Sequence, residues 1–265
     1  MHATATLYLD LMKKILTNSI YEDPNINAQH PPAYVRQLRE NGQDWPCMAH
    51  TMIGMKRLDN LQYCIEKVIT EGIPGDLIET GVWRGGAAIF MRAILKAYGV
   101  TDRRVLAADS FDGLPAPDPL QFPQDTDDTH HKNTYLAVSL EEVKANFERY
   151  GLLDEQVVFI KGWFRDTLPN IPADALAVLR LDGDMYESTW DALTNLFPKL
   201  SVGGYIIIDD YQVVPGCRAR GRGRCWPGLA PSAPTLPQRW RCATASPTPG
   251  SWTFGPRRAP TAHVP

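Results

Sequence analysis

The 265-residue sequence has no long hydrophobic run and few cysteines. No apolar stretch reaches the ~20 residues that a membrane-spanning helix needs. The five cysteines have none of the paired spacings of zinc sites or disulfide frameworks, so Cys47 and Cys64 are expected to be reduced. The stretch from Met1 to Asp10 lacks the basic segment and apolar core of a secretory signal. These absences predict a cytoplasmic protein without a membrane partner.

Acidic residues are absent after Asp210, although the net charge of the whole chain is only −3. Residues 1–215 contain 30 acidic and 19 basic residues, a net charge of −11, whereas the residues from Gly216 onward contain eight arginines and no lysine or acid. The acidic body excludes nucleic acid as the expected partner, because phosphate binding needs a basic surface. The body is long enough to bury the core of one α/β domain.

The N-terminal part is predicted to be helical, with one long interruption. Apolar spacing indicates helices over Thr4–Ile20 and Gly54–Thr70. Between them, Tyr21–Trp45 contains three prolines and mostly polar residues, which is typical of a loop or a mobile cover. The first helix is expected to pack through one apolar face made of Leu7, Leu11, Ile15 and Leu16.

From residue 76 onward, strand and helix patterns alternate. Repeated strand–helix units favour an α/β fold with a doubly wound, mostly parallel sheet. Ser139 and Glu142 have the spacing of a capping box and mark the start of one helix. The predicted strands span residues 76–80, 104–108, 157–160, 176–181 and 205–208, and the predicted helices span 85–98, 139–150 and 187–200.

The motif L-R-L-D-G-D-M-Y-E-S-T over residues 179–189 is the most informative part of the chain. An apolar strand leads there into Asp182 and Asp184, and a second apolar run ends in Asp209 and Asp210. These carboxylates are expected to converge, because the carboxyl ends of parallel strands meet at one edge of the sheet, where ligands bind. Converging carboxylates repel one another unless a cation lies between them, and oxygen ligands favour a hard ion such as Mg²⁺. The alternative is that they serve only as caps and solvated strand ends.

The first turn of the predicted sheet, I-E-T-G-V-W-R-G-G over residues 78–86, indicates a nucleotide-like ligand. Its glycines allow a ligand to approach the backbone closely. The dinucleotide pattern G-x-G-x-x-G is absent, and Glu79 at the strand end would repel a pyrophosphate. That carboxylate suits a cationic ligand such as S-adenosylmethionine. Asp109, after the second strand, could accept hydrogen bonds from the ribose hydroxyls of either ligand.

The connection from Ser110 to Val138 is long and has no clear periodicity. Loops of this length in compact domains are usually functional lids or disordered. Two interpretations stay open, a solvated polar loop and a substrate-facing flap. The residues that could act in a flap are Asp125, Asp127, Asp128, His130 and His131.

A series of segments follows in order from roughly Tyr8 to Arg218. They are A-H-T-M-I-G-M-K-R-L-D-N from Ala49, G-D-L-I-E-T-G-V-W-R-G-G from Gly75, A-D-S-F-D-G-L-P from Ala108, S-L-E-E-V-K-A-N-F from Ser139, G-W-F-R-D-T-L-P from Gly162, the motif over residues 179–189, and I-I-D-D-Y ending at Tyr211. Together they resemble the macrocin O-methyltransferase (TylF) family, which includes enzymes that methylate sugar hydroxyls on macrolide and aminocoumarin antibiotics.

The resemblance implies a class I methyltransferase fold, S-adenosylmethionine as the methyl donor, and dependence on Mg²⁺. It implies that Asp182, Asp209 and Asp210 bind the metal and that Asp184 is the general base. It further implies a small-molecule glycosylated substrate, with a deoxysugar as the acceptor, and a homo-oligomer. The residues that would line the cofactor are Glu79, Thr80, Gly81, Asp109, Ser110, Ser139, Trp163 and Phe164.

The resemblance also suggests a division of the chain into three parts. Residues 1–72 form N-terminal helices and a substrate lid, in which Tyr21–His50 covers the sugar. Residues 73–217 form the methyltransferase core, and residues 218–265 form an aberrant tail rich in arginine and proline.

The tail departs from the family's pattern. Nine prolines after Gly216 exclude a long helix or a central strand and favour disorder. This composition is also what GC-rich coding DNA yields in a shifted reading frame. A frameshift near Arg218 and a genuine basic tail with an anionic partner both stay open. Without the family's later strands, the strand that ends at Asp209 is expected to be a bare hydrophobic edge.

Three functions therefore remain for comparison. The first is a Mg²⁺-dependent sugar O-methyltransferase. The second is an NAD-dependent oxidoreductase, which the missing G-x-G-x-x-G disfavours. The third is a frameshift-damaged, weak or inactive homologue that at most binds the cofactor.

Overall fold

The computed structural model describes residues 3–209 and 241–243. Asp210 and most of the predicted tail lie outside these residues. A six-stranded sheet forms the centre of the molecule, in the order β3-β2-β1-β4-β5-β6, with every neighbouring pair parallel. The strands are β1 Asp76–Thr80, β2 Val105–Asp109, β3 Val157–Lys161, β4 Leu176–Leu181, β5 Leu200–Ile208 and β6 Arg241–Ala243.

Seven α-helices occur among the described residues. The long connection after β2 also contains three short 3₁₀ turns, at Pro123–Asp125, His130–Lys132 and Thr134–Leu136. The helices are α1 Ala3–Leu16, α2 Arg36–Asn41, α3 Gly54–Thr70, α4 Gly86–Ala97, α5 Leu140–Arg149, α6 Phe164–Thr167 and α7 Tyr186–Leu196. The predicted doubly wound sheet is confirmed.

Two hydrophobic clusters cover the two faces of the sheet. One face packs against α1, α3, α4 and α5 and contains Leu58, Phe90 and Phe147. The other face contains Leu168 and Leu196. Every residue of β1 and β4 is buried, as expected for strands that are covered on both sides. None of the described helices combines the length and apolar content needed to cross a bilayer.

The N-terminal helix packs through a different face from the one predicted. Leu7, Leu11 and Ile15 are exposed, whereas Leu9 and Met12 are buried in the core together with the correctly predicted Leu16. Both sets have helical spacing, so periodicity alone could not choose between them. Contact with the core cluster that also contains α3 and α4 decided the orientation.

The expected bare edge at β5 is also wrong. The backbone of β6 pairs in parallel with β5, and Tyr205, Ile206 and Ile207 lie opposite Arg241, Cys242 and Ala243. A strand edge with free N–H and C=O groups readily recruits another strand. Here a short segment from the tail fills that position.

The strand order reverses between β1 and β4. β1 is the third strand of the sheet, and the chain proceeds to β2 and β3 on one side of it and to β4 and β5 on the other. In open α/β sheets such a switch point leaves a crevice at the carboxyl ends of the strands. The turns after β1 and β4 that carry the most informative sequence motifs lie at this crevice.

Candidate active site

A cavity of 980 Å³ lies at the carboxyl ends of the strands. The predicted sites Thr80 and Ser139 do not line it, and Asp210 lies outside the described residues. Thr80 is buried directly beside the cavity at the end of β1, whereas Ser139 caps α5 by accepting a hydrogen bond from the Glu142 amide at 3.2 Å. The predicted residues that line the cavity are Glu79, Gly81, Asp109, Ser110, Trp163, Phe164, Asp182, Asp184 and Asp209.

The turn after β1 is shaped by Gly81. Its φ is +87°, and a Cβ atom there would lie 1.7 Å from the Asp182 carbonyl oxygen. Only glycine permits this approach, because any side chain would collide with backbone. The close contact brings the turn after β1 against the Asp182–Asp184 turn after β4.

Two buried polar atoms at the end of β1 have no hydrogen-bond partner among the described residues. They are Oε2 of Glu79 and Oγ1 of Thr80. Burial raises the pKa of the Glu79 carboxyl, and the Arg180 guanidinium, 2.7 Å from Oε1, opposes that shift. Buried polar groups are rarely left unpaired without a functional reason. These atoms fit the predicted contact with a cofactor that carries hydrogen-bond donors and positive charge.

Asp109 organises the backbone around the cavity. Its Oδ2 accepts a hydrogen bond from the Val82 amide at 2.6 Å, and its Oδ1 accepts one from the Phe111 amide at 2.7 Å. Burial raises the pKa of this carboxyl, and the backbone hydrogen bonds lower it. Asp109 therefore links the turn after β1 to the start of the long loop, and its predicted contact with ribose stays a prediction.

A single arginine joins three of the predicted acidic residues. Nη1 of Arg180 donates to Oε1 of Glu79 and to Oδ2 of Asp182, both at 2.7 Å, and Nη2 donates to Oδ1 of Asp209 at 2.6 Å. Arg180 is only 1% exposed. Its role is not apparent from the sequence motifs, although a charged residue inside the apolar strand β4 is a visible signal.

A second arginine reaches the same cluster from α3. Nη1 of Arg57 donates to Oδ2 of Asp209, and Nη2 donates to the Gly42 carbonyl at 2.8 Å. Both oxygens of Asp209 are therefore bound by guanidinium groups. Arg57 also connects this carboxylate to the predicted cover, and sequence analysis did not find it.

The donor atoms are of the type that a hard divalent cation prefers. Glu79, Asp182, Asp184 and Asp209 supply carboxyl groups at the cavity, and all of them except Asp184 bond one or both of the Arg57 and Arg180 guanidinium groups. Within residues 3–209, however, no three His, Cys, Asp or Glu side chains are grouped as a metal site. Asp210, the third predicted ligand, is not among them.

Asp184 lies at the wall of the cavity in an unusual backbone conformation. Its φ is +56°, a left-handed value that is uncommon outside glycine. Burial, followed by the Asp182 carboxylate, raises the pKa of Asp184 to about 7. The nearby His130 lowers it. A cation bound to the cluster would lower it further, because bound ions dominate the local field.

The predicted N-terminal cover, residues 21–50, is attached to its surroundings by a buried arginine and by aromatic stacking. Arg39 is fully buried and donates to Asp23 at 2.7 Å and to Asp44 at 2.8 Å. Trp45 stacks on Tyr135 of the long loop, with ring centroids 5.6 Å apart. The cover and the loop therefore meet above the cavity.

Comparison with known proteins places this site in a family. The model of the macrocin-O-methyltransferase (TylF) family matches residues 5–222. The chain belongs to this family. The match ends close to Arg218, where the sequence motifs also stop. Family membership confirms the predicted enzyme class, an O-methyltransferase, and implies S-adenosylmethionine as the methyl donor.

Close relatives support the same family assignment. The chain is 56% identical over 221 residues to the demethyldecarbamoylnovobiocin O-methyltransferase of Streptomyces niveus, covering 82% of this chain and 84% of that protein. It is 59% identical over 217 residues to the 8-demethyl-8-(2,3-dimethoxy-alpha-L-rhamnosyl)-tetracenomycin-C 4'-O-methyltransferase of Streptomyces olivaceus, covering 80% and 82%. The solved structure of the O-methyltransferase NovP superimposes with a TM-score of 0.73 at 54% identity, covering 81% of this chain and 88% of that one. The methyltransferase fold is thereby confirmed.

Proposed function

We propose that this enzyme transfers the methyl group of S-adenosylmethionine to a hydroxyl of a deoxysugar on a glycosylated natural product, of the macrolide or aminocoumarin type, and that it requires Mg²⁺. The cluster of carboxyl groups at the ends of β1, β4 and β5, beside a large cavity, carries this proposal. The names of the relatives support the substrate class, since one is named for the 4' oxygen of a rhamnosyl group.

The cofactor would lie against the turns after β1 and β2. Oε2 of Glu79 and Oγ1 of Thr80 are buried without a hydrogen-bond partner in the part of the chain that the structure describes, and Gly81 keeps the backbone accessible. Asp109 and Ser110 follow β2, and Trp163 and Phe164 complete the wall. A carboxylate at the end of β1 favours the positively charged methionine part of this donor over a pyrophosphate.

The metal would be held by Asp182, Asp209 and Asp210. When bound, Mg²⁺ would lower the pKa of a coordinated sugar hydroxyl and hold that oxygen in place. Arg180 keeps Asp182 and Asp209 oriented toward the same side through hydrogen bonds of 2.7 and 2.6 Å. Asp184, two residues after Asp182, would accept the proton from the attacking hydroxyl. Holding both reactants in line supplies much of the rate.

Substitution of Asp182 tests the proposal. Asp182→Asn removes one negative charge from the cluster and keeps its size, so Mg²⁺-dependent methyl transfer should be abolished while S-adenosylmethionine binding by calorimetry stays within about threefold. The matched control is Asp102→Asn, an exposed residue outside the cavity, which should behave like the wild type. Normal turnover by Asp182→Asn would show that the metal assignment is wrong.

One observation favours a second candidate, a damaged homologue that at most binds the cofactor. The family match ends at residue 222, and the composition changes at the same point. Thermal shift with S-adenosylmethionine and with Mg²⁺ separates the two: no shift with either ligand favours the damaged protein. Resequencing of the gene tests the frameshift itself, and an uninterrupted frame would refute it.

A further inference from the structure

The long loop between β2 and α5 is attached to the catalytic region through Asp125. This residue lies in the middle of the loop, yet it is only 3% exposed. Its Oδ1 accepts a hydrogen bond from the Tyr186 amide at 2.8 Å, and its Oδ2 accepts one from the Glu187 amide at 2.9 Å. These amides belong to the first two residues of α7, whose own N-cap, Met185, makes no side-chain cap. A carboxylate from a distant loop therefore caps this helix.

This cap lies next to the residue proposed as the general base. α7 begins two residues after Asp184, which has a φ of +56°. Left-handed backbone in a non-glycine residue persists only where the surroundings hold it. On the other side of this turn, Gly81 contacts the Asp182 carbonyl. The turn is thus fixed at one end by β1 and at the other by Asp125.

The same anchor fixes the part of the loop that faces Asp184. The Asp125 carbonyl accepts a hydrogen bond from the Asp128 amide at 2.9 Å. The Asp128 carboxylate then bonds Nδ1 of His130 at 2.8 Å. His130 and Asp184 both line the cavity, and their charges interact. A continuous path of bonds therefore runs from His130 through Asp125 to the helix that follows Asp184.

We propose that Asp125 is a positioning residue for methyl transfer, which holds Asp184 and the His130 segment of the loop at a fixed separation across the cavity. The proposal rests on the function proposed above and goes beyond it, since it gives the loop a docked role instead of that of a solvated connection. Asp125 itself has both oxygens on backbone amides, so it acts through Asp184 and His130. The turns after β1 and β2, which are proposed to bind the cofactor, make no hydrogen bond to the Asp125 carboxylate among the described residues.

The chain offers a conservative variant and a matched control for a test. Asp125→Ala removes both acceptors, whereas Asp125→Asn keeps the size and one carbonyl oxygen. Asp118→Ala is the control, because Asp118 lies in the same loop, is exposed, and accepts hydrogen bonds from the local amides of Leu120 and Gln121 through its side chain. Each protein would be assayed with S-adenosylmethionine, Mg²⁺ and 8-demethyl-8-(2,3-dimethoxy-alpha-L-rhamnosyl)-tetracenomycin C as the acceptor.

Asp125→Ala should lower kcat at least about tenfold, because a small displacement of reacting groups is costly, while KM for S-adenosylmethionine and its dissociation constant stay within about twofold. Asp125→Asn should be intermediate, and Asp118→Ala should match the wild type. Asp125→Ala with a wild-type kcat would overturn the proposal. So would an equal loss of kcat and cofactor binding, which indicates a general structural role. If Asp125→Ala does not fold, the kcat and the cofactor dissociation constant of Asp125→Asn test the proposal in the same way.

Hydrogen exchange provides a readout that does not depend on turnover. In Asp125→Ala, the amides of Tyr186 and Glu187 lose their acceptor, and the turn in which the Asp125 carbonyl binds the Asp128 amide loses its attachment to α7. All three amides should therefore exchange at least about tenfold faster. Unchanged exchange at Asp128 would overturn the proposal even if the wild type is inactive with this acceptor. An inactive wild type in which this exchange pattern holds would count against the proposed function alone.

Discussion

At the residue scale, the most demanding position in the site is Gly81. We expect Gly81→Ala to lower the free energy of unfolding by more than about 3 kcal/mol, because its Cβ would collide with the Asp182 carbonyl and φ would remain positive. Urea denaturation measures this loss. Gly99→Ala is the matched control, because its φ is +66° and a Cβ added there would have nothing within 4 Å. Gly99→Ala should lower the free energy of unfolding by only the ~1–2 kcal/mol that a left-handed backbone conformation costs a residue with a side chain.

Equal losses for the two variants would mean that the turn can move away from Asp182. In that case the close approach of the β1 and β4 turns would not be a constraint on the site. A larger loss for Gly81→Ala supports a rigid junction between the two turns.

His50 gives a second prediction, on pH. Burial, followed by the charges of Arg149 and Arg84, lowers the pKa of His50 to about 4, and its Nδ1 lies 2.7 Å from the Tyr150 hydroxyl. In the unfolded chain the pKa returns to about 6.5, so unfolding takes up a proton between these values. The stability present above pH 6.5 should therefore be lost progressively as the pH falls toward 4.

The pH effect can be isolated by substitution. His50→Gln should flatten the acid side of the stability curve, measured by urea unfolding from about pH 4.5 to about pH 7. In Tyr150→Phe, the free energy of unfolding should depend on pH as in the wild type, because burial and the arginine charges lower the pKa of His50. An unchanged slope in His50→Gln would show that another group controls stability in this range.

At the scale of elements, the N-terminal cover depends on one buried network. Arg39 donates to Asp23 and Asp44, and it also donates to the Thr17 carbonyl at 2.7 Å. Arg39→Met leaves two buried carboxylates unpaired, at a cost of ~3–5 kcal/mol, and should open the cover. Limited proteolysis should then cut within residues 21–48 faster than in the wild type.

The control for the cover is on the same helix. Arg36 is 81% exposed in its side chain and forms a surface pair with Glu40, so Arg36→Met should have no measurable effect on proteolysis. Faster cleavage throughout the sheet in Arg39→Met would mean that the cover is not a separate unit of stability.

The elements also differ in how well the sequence defines them. β1, β4 and α3 have the predicted bounds, because apolar strands and a regular helical stripe leave few alternatives. The helix α2 was missed, since its six residues lie in a proline-containing polar segment. It forms around Arg39, whose buried partners come from segments on both sides of it.

At the scale of the whole molecule, Arg180 connects three strands. It bonds Glu79 in β1, Asp182 after β4 and Asp209 after β5. Arg180→Met should lower the free energy of unfolding by ~3–5 kcal/mol in urea denaturation, because it leaves buried carboxylates without a counter-charge. Arg165→Met, with a side chain that is 55% exposed, should cost no more than ~1 kcal/mol.

A second substitution identifies the cause of the effect. Adding Asp182→Asn to Arg180→Met should recover part of the lost stability, because it removes a carboxylate that has lost the Arg180 guanidinium as its partner. Losses that are merely additive would point to packing rather than charge as the role of Arg180.

The sequence by itself determined the doubly wound sheet, the family and the acidic strand ends. Repeated strand–helix units predict a parallel sheet, and the carboxyl ends of parallel strands share one edge, so Asp182, Asp184 and Asp209 were expected to converge. Only the tertiary structure decided which cations balance them and which face of α1 is buried. The bonds from Arg57 to Asp209, from Arg180 to Glu79 and Asp209, and from the Tyr186 amide to Asp125 join residues 29 to 152 positions apart, and no local pattern encodes those contacts. The physical reason is that charge pairing and capping depend on distance in space, whereas periodicity reports only neighbours along the chain.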